Sequence, residues 1–305
     1  MAISGTTLTA HLHSVPGDLA RLIESFAMIS LNMQSQFPKY LTGVKNDPNK
    51  YGEAVAALDS YTNGYLCDNL IQTGPVRTIH SEELSQPLIC NERAPFVITL
   101  DPLDGSSNIT SNNPFGTILG VYRQDLPQTG RKLVAAVYKL YGPVNTLVYS
   151  AGKGTHEFVK HYDSEGNAKF LLLHERMRIP SSGGVFGIGG EPLGWDPKFL
   201  KFAKDLFRVH RLKTRYCGAF VGDFSQILHL GGMFAYPSSK KHPQGKLRLF
   251  YEAQPMSFIW ENAGGESWNG KDASLLDTIS DDVDARVPLY IASPYIMESL
   301  KEALA

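Results

Sequence analysis

Apolar residues recur at helical spacing near the start of the chain. From Leu19 onward they lie on one face of a predicted helix, at Leu22, Ile23, Phe26, Ile29 and Met33. Pro16 and Asp18 are typical of a helix start. A second run, residues 53–71, has apolar positions that also predict a helix. We therefore expect the chain to open with two helices.

The pattern then changes to short runs rich in β-branched and aromatic residues. Predicted strands lie at 76–80, 96–100, 117–122, 133–138, 146–149, 156–159 and 170–173. After the turn-rich segment 181–184, predicted helices at 197–207, 224–230, 255–262 and 296–305 accompany a strand at 247–251. This mixture favours a layered α/β or α+β fold. The turn-rich segment predicts a division into two domains, 1–180 and 181–305.

Composition narrows the classes of function. The 305 residues carry a net charge of −1, so nothing global attracts nucleic acid or an anionic membrane, and an anionic ligand must be held by local charge. No apolar run approaches the roughly 18 residues that indicate a membrane span. Cys67, Cys90 and Cys217 lack the spacing of a disulfide framework or a metal site. We expect a cytoplasmic protein, and earlier removal of a transit peptide stays open.

The segment 101–108, Asp-Pro-Leu-Asp-Gly-Ser-Ser-Asn, carries the strongest chemical signal. An apolar strand delivers Asp101 and Asp104, Pro102 favours leaving the sheet there, and the turn after them can present N–H groups to an anion. Carboxylates beside an anion-binding turn suit Mg²⁺, which bridges protein carboxylates to a substrate phosphate. Alone, the segment is equally compatible with an ordinary turn, because Asp-Pro and Asp-Gly steps are common in turns.

More charged residues stand at the ends of other predicted elements. The carboxylates among them are Glu53, Asp59, Glu82, Glu83 and Glu252. Two cations, Lys246 and Arg248, precede the last of these. Each has an ordinary interpretation as part of a solvated edge or an exposed strand face. Together they match a two- or three-metal phosphoryl-transfer site with basic residues for a second phosphate.

In order and spacing, these residues resemble the class I fructose-1,6-bisphosphatase family, within the lithium-sensitive, magnesium-dependent phosphatase superfamily. The resemblance covers nearly the whole chain, with matching motifs at 81–83, 101–109, 116–118, 215–218, 246–252, 254–256, 263–265 and 270–271. It implies the sugar phosphatase fold, a layered αβαβα sandwich. The metal site would lie between an N-terminal metal- and phosphate-binding domain and a C-terminal sugar-binding domain.

Carried over residue by residue, the resemblance implies a site for two or three Mg²⁺ ions, or for Mn²⁺ or Zn²⁺ in their place. The implied ligands are the carbonyl of Leu103 and the side chains of Glu53, Asp59, Glu82, Glu83, Asp101, Asp104 and Glu252. The family often has Asp where Glu53 stands. The implied catalytic residues are Asp59, Glu83 and Asp104, with Asp59 and Glu83 helping to deprotonate a water that attacks the 1-phosphate in line.

The resemblance also implies the substrate contacts. The amides of Gly105 and Ser106 would hold the reacting phosphate, with Arg248 near it. The distal phosphate and sugar would be held by Lys246, Tyr216 and Tyr236. The implied residues are Gly105, Ser106, Ser107, Arg215, Tyr216, Gly218, Ala219, Phe220, Tyr236, Lys246 and Arg248. Arg215 would act from a neighbouring subunit, so the resemblance implies an oligomer, expected to be a homotetramer.

Three departures from the family pattern bear on specificity and regulation. The loop 186–195 lacks the Asn and Tyr that usually help to hold the distal phosphate. The stretch 153–158 is closer to sedoheptulose-1,7-bisphosphatases. The segment before Leu19 is short, and Pro95 and Phe96 replace a usual Lys-Tyr pair, so we expect weak or absent inhibition by AMP.

The sequence thus predicts a Mg²⁺-dependent phosphoric monoester hydrolase that converts fructose 1,6-bisphosphate to fructose 6-phosphate in gluconeogenesis or other carbon metabolism. A sedoheptulose-1,7-bisphosphatase or a dual-specificity sugar bisphosphatase stays open. A phosphatase for inositol phosphates or adenosine bisphosphate is disfavoured by the 246–252 motif. A catalytically silent binding protein on this fold is the remote alternative, because no expected carboxylate is missing.

Overall fold

The computed structural model describes residues 5–41, 48–181 and 183–305, except for the side chains of residues 41 and 48–54. Its α-helices in those ranges are α1 (Leu8–His11), α2 (Gly17–Gln34), α3 (Pro38–Leu41), α4 (Pro48–Ile71), α5 (Pro197–Arg208), α6 (Phe220–Leu230), α7 (Gln254–Asn262) and α8 (Pro294–Leu304). The two opening helices predicted from spacing correspond to α2 and α4. No helix in the described part of the chain is both long and apolar enough to cross a membrane.

The strands of the first half are β1 (Val76–Ser81), β2 (Leu88–Ile89), β3 (Phe96–Asp104), β4 (Phe115–Tyr122), β5 (Leu133–Tyr141), β6 (Thr146–Ser150), β7 (Thr155–Tyr162) and β8 (Ala168–His174). Those of the second half are β9 (Val185–Ile188), β10 (Lys213–Thr214), β11 (Gly232–Tyr236), β12 (Leu247–Arg248), β13 (Glu266–Trp268), β14 (Arg286–Val287) and β15 (Leu289–Ala292). Every strand predicted in the first half is present.

Two sheets form the β layers. The larger has eight strands in the order β2-β1-β3-β4-β5-β6-β7-β8, and only its β1–β3 pair is parallel. The smaller has five strands in the order β10-β9-β11-β15-β13. Because side chains alternate along a strand, Leu119 of β4 packs toward the first helices and Ile118 packs toward the second half of the chain.

Three apolar cores hold five layers together. The first core packs α2 and α4 against one face of the eight-stranded sheet. The second packs α6 and α7 between the two sheets, and the third packs α5 and α8 against the outer face of the smaller sheet. This is the αβαβα sandwich predicted above. The predicted site lies inside it, where the two halves of the chain meet.

Pro102 does not end the sheet, so that prediction is wrong. β3 continues to Asp104, and its pairing with β4 shifts register between Asp101 and Asp104. A bulge tolerates proline because the ladder hydrogen bond that proline cannot donate is already interrupted there. The bulge also matters for the site: in a regular strand, residues three apart face opposite sides, whereas here both aspartates point into one cluster.

The strand predicted at 247–251 is also wrong beyond Arg248. Residues Leu249–Ala253 form a π-helical turn that continues into α7. The apolar run before Glu252 has no periodicity that separates a buried strand from a buried helix. The turn carries Glu252 inward, where its side chain accepts a hydrogen bond from the Arg248 amide at 2.6 Å. Similarly, α6 begins at Phe220 rather than at residue 224.

Candidate active site

A cavity of about 270 Å³ opens where the end of β3 meets the start of α6 and the π-helical turn. It draws residues from both halves of the chain. The predicted site residues that line it are Asp59, Glu82, Glu83, Asp101, Leu103, Asp104, Gly105, Ser106, Ser107, Tyr216, Gly218, Ala219, Phe220, Tyr236, Lys246 and Glu252. The fold therefore brings together residues that are nearly two hundred positions apart in sequence.

Among the predicted residues whose side chains the structure describes, Arg215 and Arg248 do not line this cavity. The side chain of Glu53 lies outside the described residues, so its predicted role as a metal ligand stays a prediction. Arg215 is exposed, and its side chain donates to the Thr214 carbonyl at 3.2 Å. Arg248 lies behind the lining, where its Nε donates to Glu82 at 2.9 Å and its Nη1 to Asp284 at 3.1 Å.

A carboxylate cluster forms the floor of the cavity. Asp101, Asp104 and Glu252 each place an oxygen within 4.8 Å of the other two. Burial raises the pKa of Asp104 to about 7 and raises the pKa values of Asp101 and Glu252 well above their usual range, and neighbouring carboxylates add to all three effects. A divalent cation that prefers oxygen ligands would remove this repulsion, so the donor set fits such an ion.

Asp59 reaches the same cavity from α4. Its Oδ2 accepts a hydrogen bond from Ser106 Oγ at 3.2 Å. Burial raises its pKa to about 6, the charges of Glu82 and Glu83 act in the same direction, and the Ser106 hydrogen bond opposes them. Burial likewise raises the pKa of Glu83. Two carboxyl groups with raised pKa values in one cavity are candidates for proton transfer.

Gly105 makes the turn after β3 possible. It has a φ of 76°, in the left-handed region, and a Cβ at this position would lie 2.2 Å from the Cβ of Ala219. Residues Ser106–Ser111 then form a short 3₁₀ helix. Only glycine combines this conformation with so close an approach of the turn to the start of α6. Gly105, Ser106 and Ser107 line the cavity, where the sequence predicts a phosphate cradle.

The side of the cavity opposite the carboxylates is aromatic and basic. Lys246 Nζ donates to the Tyr236 hydroxyl at 3.1 Å. A neighbouring cavity of about 520 Å³ shares Tyr236 and Lys246 with this one and is also lined by Gly190 and Trp195 of the divergent loop. Space for a larger ligand is therefore available on this side.

Sequence reasoning missed two polar residues of the site. Asp223, which is buried in the first turn of α6, accepts hydrogen bonds from the Cys217 amide at 2.8 Å and the Gly218 amide at 3.3 Å. Arg286, from β14, lines the cavity and donates to the Lys246 carbonyl. An acidic residue in a first helical turn and an arginine on a short strand are both commonplace, so no signal in the sequence distinguished them.

Comparison with known proteins identifies the family. The model of the fructose-1,6-bisphosphatase N-terminal domain matches residues 10–175, and that of the C-terminal domain matches residues 179–305. The chain belongs to the fructose-1,6-bisphosphatase family. Class 1 fructose-1,6-bisphosphatases from Natronomonas pharaonis and Methanocorpusculum labreanum are each 38% identical to it, over 85% and 91% of this chain and 89% and 84% of theirs.

A solved structure supports the same assignment for the fold. Holo fructose-1,6-bisphosphatase from Leishmania major superposes with a TM-score of 0.87 at 29% identity, over 98% of this chain and 99% of that one. The resemblance stated from sequence motifs is thus confirmed, as is the sandwich fold. The domain boundary at 180 and the roles of individual site residues stay predictions.

Proposed function

We propose that this fructose-1,6-bisphosphatase family member hydrolyses the 1-phosphate of fructose 1,6-bisphosphate, with Mg²⁺ as its metal. The observation that carries the proposal is the cluster of Asp101, Asp104 and Glu252 directly beside the Gly105 turn. Relatives that are 38% identical over most of the chain are named for this activity. We infer a role in gluconeogenesis or related carbon metabolism in the cytoplasm.

In this proposal, Asp101, Asp104, Glu252, Asp59, Glu82, Glu83 and the Leu103 carbonyl hold the metal ions. When bound, the metals neutralise phosphate charge in the transition state. The Gly105 and Ser106 amides hold the reacting phosphate. Asp59 and Glu83 would accept the proton of the attacking water, and burial raises the pKa of both, that of Asp59 to about 6.

The cations have separate tasks. Arg248 is held between Glu82 and Asp284, and in this proposal it supplies positive charge near the reacting phosphate. Lys246 and Tyr236 bind the distal phosphate and sugar, together with Tyr216 and the backbone of Gly218, Ala219 and Phe220. Preorganised charges of this kind lower the free energy of the transition state without reorganisation during the reaction.

A second candidate substrate is sedoheptulose 1,7-bisphosphate. The cavity of about 520 Å³ beside Tyr236 and Lys246 favours it, because the divergent loop leaves room where a longer sugar would extend. The two substrates share the same reacting end, so the site can accept both.

The test is phosphate release from the purified protein with and without Mg²⁺. Fructose 1,6-bisphosphate, sedoheptulose 1,7-bisphosphate, fructose 6-phosphate and inositol 1-phosphate are compared side by side. We expect Mg²⁺-dependent release from fructose 1,6-bisphosphate and little from the monophosphates. Release only from the heptulose substrate would favour the second candidate, and no release from either bisphosphate would refute the proposal.

A further inference from the structure

A second group of metal-ligating side chains lies outside the cavity described above. It consists of Glu157 on β7, His174 on β8 and His229 near the end of α6. His174 Nδ1 is 2.8 Å and His229 Nε2 is 2.9 Å from the same oxygen, Glu157 Oε2. The Glu157 side chain is only 2% exposed, whereas the two histidines are 37% and 32% exposed, so one side of the group opens to solvent.

The hydrogen bonds of His229 fix which of its ring nitrogens faces Glu157. His229 Nδ1 is 2.7 Å from the Ser225 carbonyl, which can only accept, so Nδ1 carries a proton. In the neutral ring, Nε2 then presents a lone pair toward a carboxylate oxygen at 2.9 Å. Two lone pairs at this distance repel each other unless a proton or a cation lies between them.

His229 has the hydrogen bond that typically orients a metal-binding histidine. Histidines that bind metals usually donate their other ring N–H to a backbone carbonyl or a carboxylate, which fixes the ring and its tautomer. His229 does this through Ser225 within its own helix. Glu157 and His174 are directly opposite each other on neighbouring antiparallel strands, so the sheet fixes two of the three ligands.

We propose that Glu157 Oε2, His174 Nδ1 and His229 Nε2 form a second cation site, for a transition metal such as Zn²⁺. Zinc–ligand bonds of about 2.0–2.1 Å in a tetrahedral site separate the ligand atoms by a little more than 3 Å. The two distances to Glu157 Oε2 are close to this value, and all three ligand atoms lie within 4.8 Å of one another. Solvent supplies the fourth ligand on the open side. Two imidazoles select Zn²⁺ or Co²⁺ over Mg²⁺, which prefers oxygen.

The ion would join α6 to the edge of the eight-stranded sheet. At its other end, α6 donates the Val221 amide to Asp104 Oδ2 at 2.7 Å. His229 and Val221 are about 12 Å apart along the helix at its usual rise per residue. The cation site would thus anchor the helix whose first turn supports the carboxylate cluster.

A third group, His11, His156 and Glu175, provides an internal contrast. His156 Nδ1 already accepts a hydrogen bond from the Arg176 amide at 3.3 Å, and the ring also bonds the backbone of Lys153. The cavity around this group is lined by Arg123, Lys153 and Arg176, whose positive charges oppose a cation. The proposal is therefore specific to the Glu157 group.

The experiment measures metal binding with the carboxylate cluster saturated by Mg²⁺. Metal-free protein in excess Mg²⁺ is titrated with Zn²⁺ against a chromophoric chelator, and with Co²⁺ by visible absorption. The variants are His174→Gln and His229→Gln, and His161→Gln, an exposed histidine also on β7, is the matched control. We expect one Zn²⁺ per chain and a tetrahedral Co²⁺ spectrum in the wild type and the control.

In His174→Gln and His229→Gln, affinity for this Zn²⁺ should fall at least about tenfold, the loss that even an outer partner of a ligand can cause. Zn²⁺ should raise the Tm of the wild type and the control but not of these variants. Equal binding in all four proteins, or no Zn²⁺ bound to the wild type, would overturn the proposal.

If a variant fails to fold, anomalous diffraction at the zinc edge tests whether Zn²⁺ binds at Glu157, His174 and His229. Crystals of the wild type grown with Mg²⁺ and soaked in Zn²⁺ should show a peak bonded to all three ligand atoms. A peak at the carboxylate cluster alone would refute the site. None of these readouts requires phosphatase activity, so failure here leaves the proposed function standing, and the reverse also holds.

Discussion

At the scale of the residue, Asp104 combines charge with a structural hydrogen bond. It is one of three clustered carboxylates, and its Oδ2 accepts the Val221 amide at 2.7 Å. Asp104→Asn keeps the size and an acceptor oxygen but removes the charge. We expect kcat with Mg²⁺ to fall at least about a hundredfold, because the metal loses a charged ligand. Steady-state phosphate release measures the effect.

Asp68→Asn is the matched control, since it makes the same change at an exposed position on α4. It should leave kcat unchanged. Retention of full Mg²⁺-dependent activity in Asp104→Asn, with the control also active, would contradict the proposed metal site.

The same carboxylates predict how stability depends on pH without metal. The pKa of Asp104 rises from an ordinary value of 3.8 to about 7, because burial penalises its charge. The folded state therefore holds this proton more tightly than the unfolded state does. Its contribution to stability is fully present below pH ~4 and is lost as pH rises to about 7, by an amount of the order of a few kcal/mol.

Thermal unfolding in a chelator should consequently give a Tm that falls between pH 4 and 7.5, and added Mg²⁺ should restore it at pH 7.5. Asp104→Asn should fall less over the same range. A wild-type Tm that rises across this window by as much as that of the variant would contradict the assignment.

Which residues could be predicted from sequence depends on how unusual their context is. Asp101 and Asp104 precede a glycine turn, and this combination matches a phosphate and metal site. Asp223 does not stand out, because its partners, the amides of Cys217 and Gly218, become neighbours only when the chain folds back over the cavity. Because every residue type except proline has a backbone amide, the identity of these partners gives no sequence signal. Such a residue can be recognised only in a structure.

At the scale of the element, α6 supports one wall of the cavity through its first turn. Asp223 holds the amides of Cys217 and Gly218, and Asn108 donates to the Cys217 carbonyl at 2.8 Å. Asp223→Ala leaves both amides without this acceptor. Each unsatisfied amide costs about 1–3 kcal/mol of free energy. We expect KM for the bisphosphate to rise about tenfold or more.

The Mg²⁺ concentration for half-maximal activity should change little in Asp223→Ala, because the carboxylate cluster is untouched. Asp223→Asn, which keeps one acceptor oxygen, should show a smaller rise in KM. A change confined to the Mg²⁺ requirement would assign Asp223 to the metal site instead.

Elements with a clear hydrophobic periodicity could be predicted from sequence, whereas elements determined by tertiary contacts could not. The amphipathic spacing of α2 and the β-rich runs of the large sheet are local signals. The π-helical turn at Leu249–Ala253 is fixed by burial of Glu252 and by its contact with the Arg248 amide. The short strands β9 and β10 are defined by their pairing in the smaller sheet, where β9 pairs with β11 and β10 pairs with β9.

At the scale of the whole molecule, Arg215 tests whether assembly completes the site. Its side chain does not line its own chain's cavity. The family resemblance implies that it acts from a neighbouring subunit. Arg215→Ala should raise KM about 10–100-fold, the effect of losing a charged hydrogen bond of ~1.5–3 kcal/mol, and should lower kcat much less.

Sedimentation and activity on serial dilution complete this test. Wild-type KM should rise as the proposed homotetramer dissociates, whereas Arg215→Ala should show no such dependence. Equal loss in kcat and kcat/KM in the variant would contradict a binding role for Arg215.

The expected weakness or absence of AMP inhibition is a further prediction at this scale. Arg123 lies over the ring of Phe96, at 5.2 Å from its centroid, and this ring offers no hydrogen-bond donor to a nucleotide phosphate. We expect at most weak inhibition when AMP is titrated at saturating Mg²⁺ and limiting substrate. Strong inhibition at micromolar AMP would contradict the expectation.

The carboxylate cluster combines Asp101 and Asp104 from one half of the chain with Glu252 from the other. The order in which the ribosome makes these residues therefore affects when the cluster can form. The strands of the large sheet and the Gly105 turn are translated long before Glu252. A ribosome-bound chain at that stage cannot yet gather the third carboxylate. Newly made protein would therefore stay inert toward phosphorylated sugars until its last quarter has emerged and folded, and a truncated translation product would carry the recognisable motif without the activity.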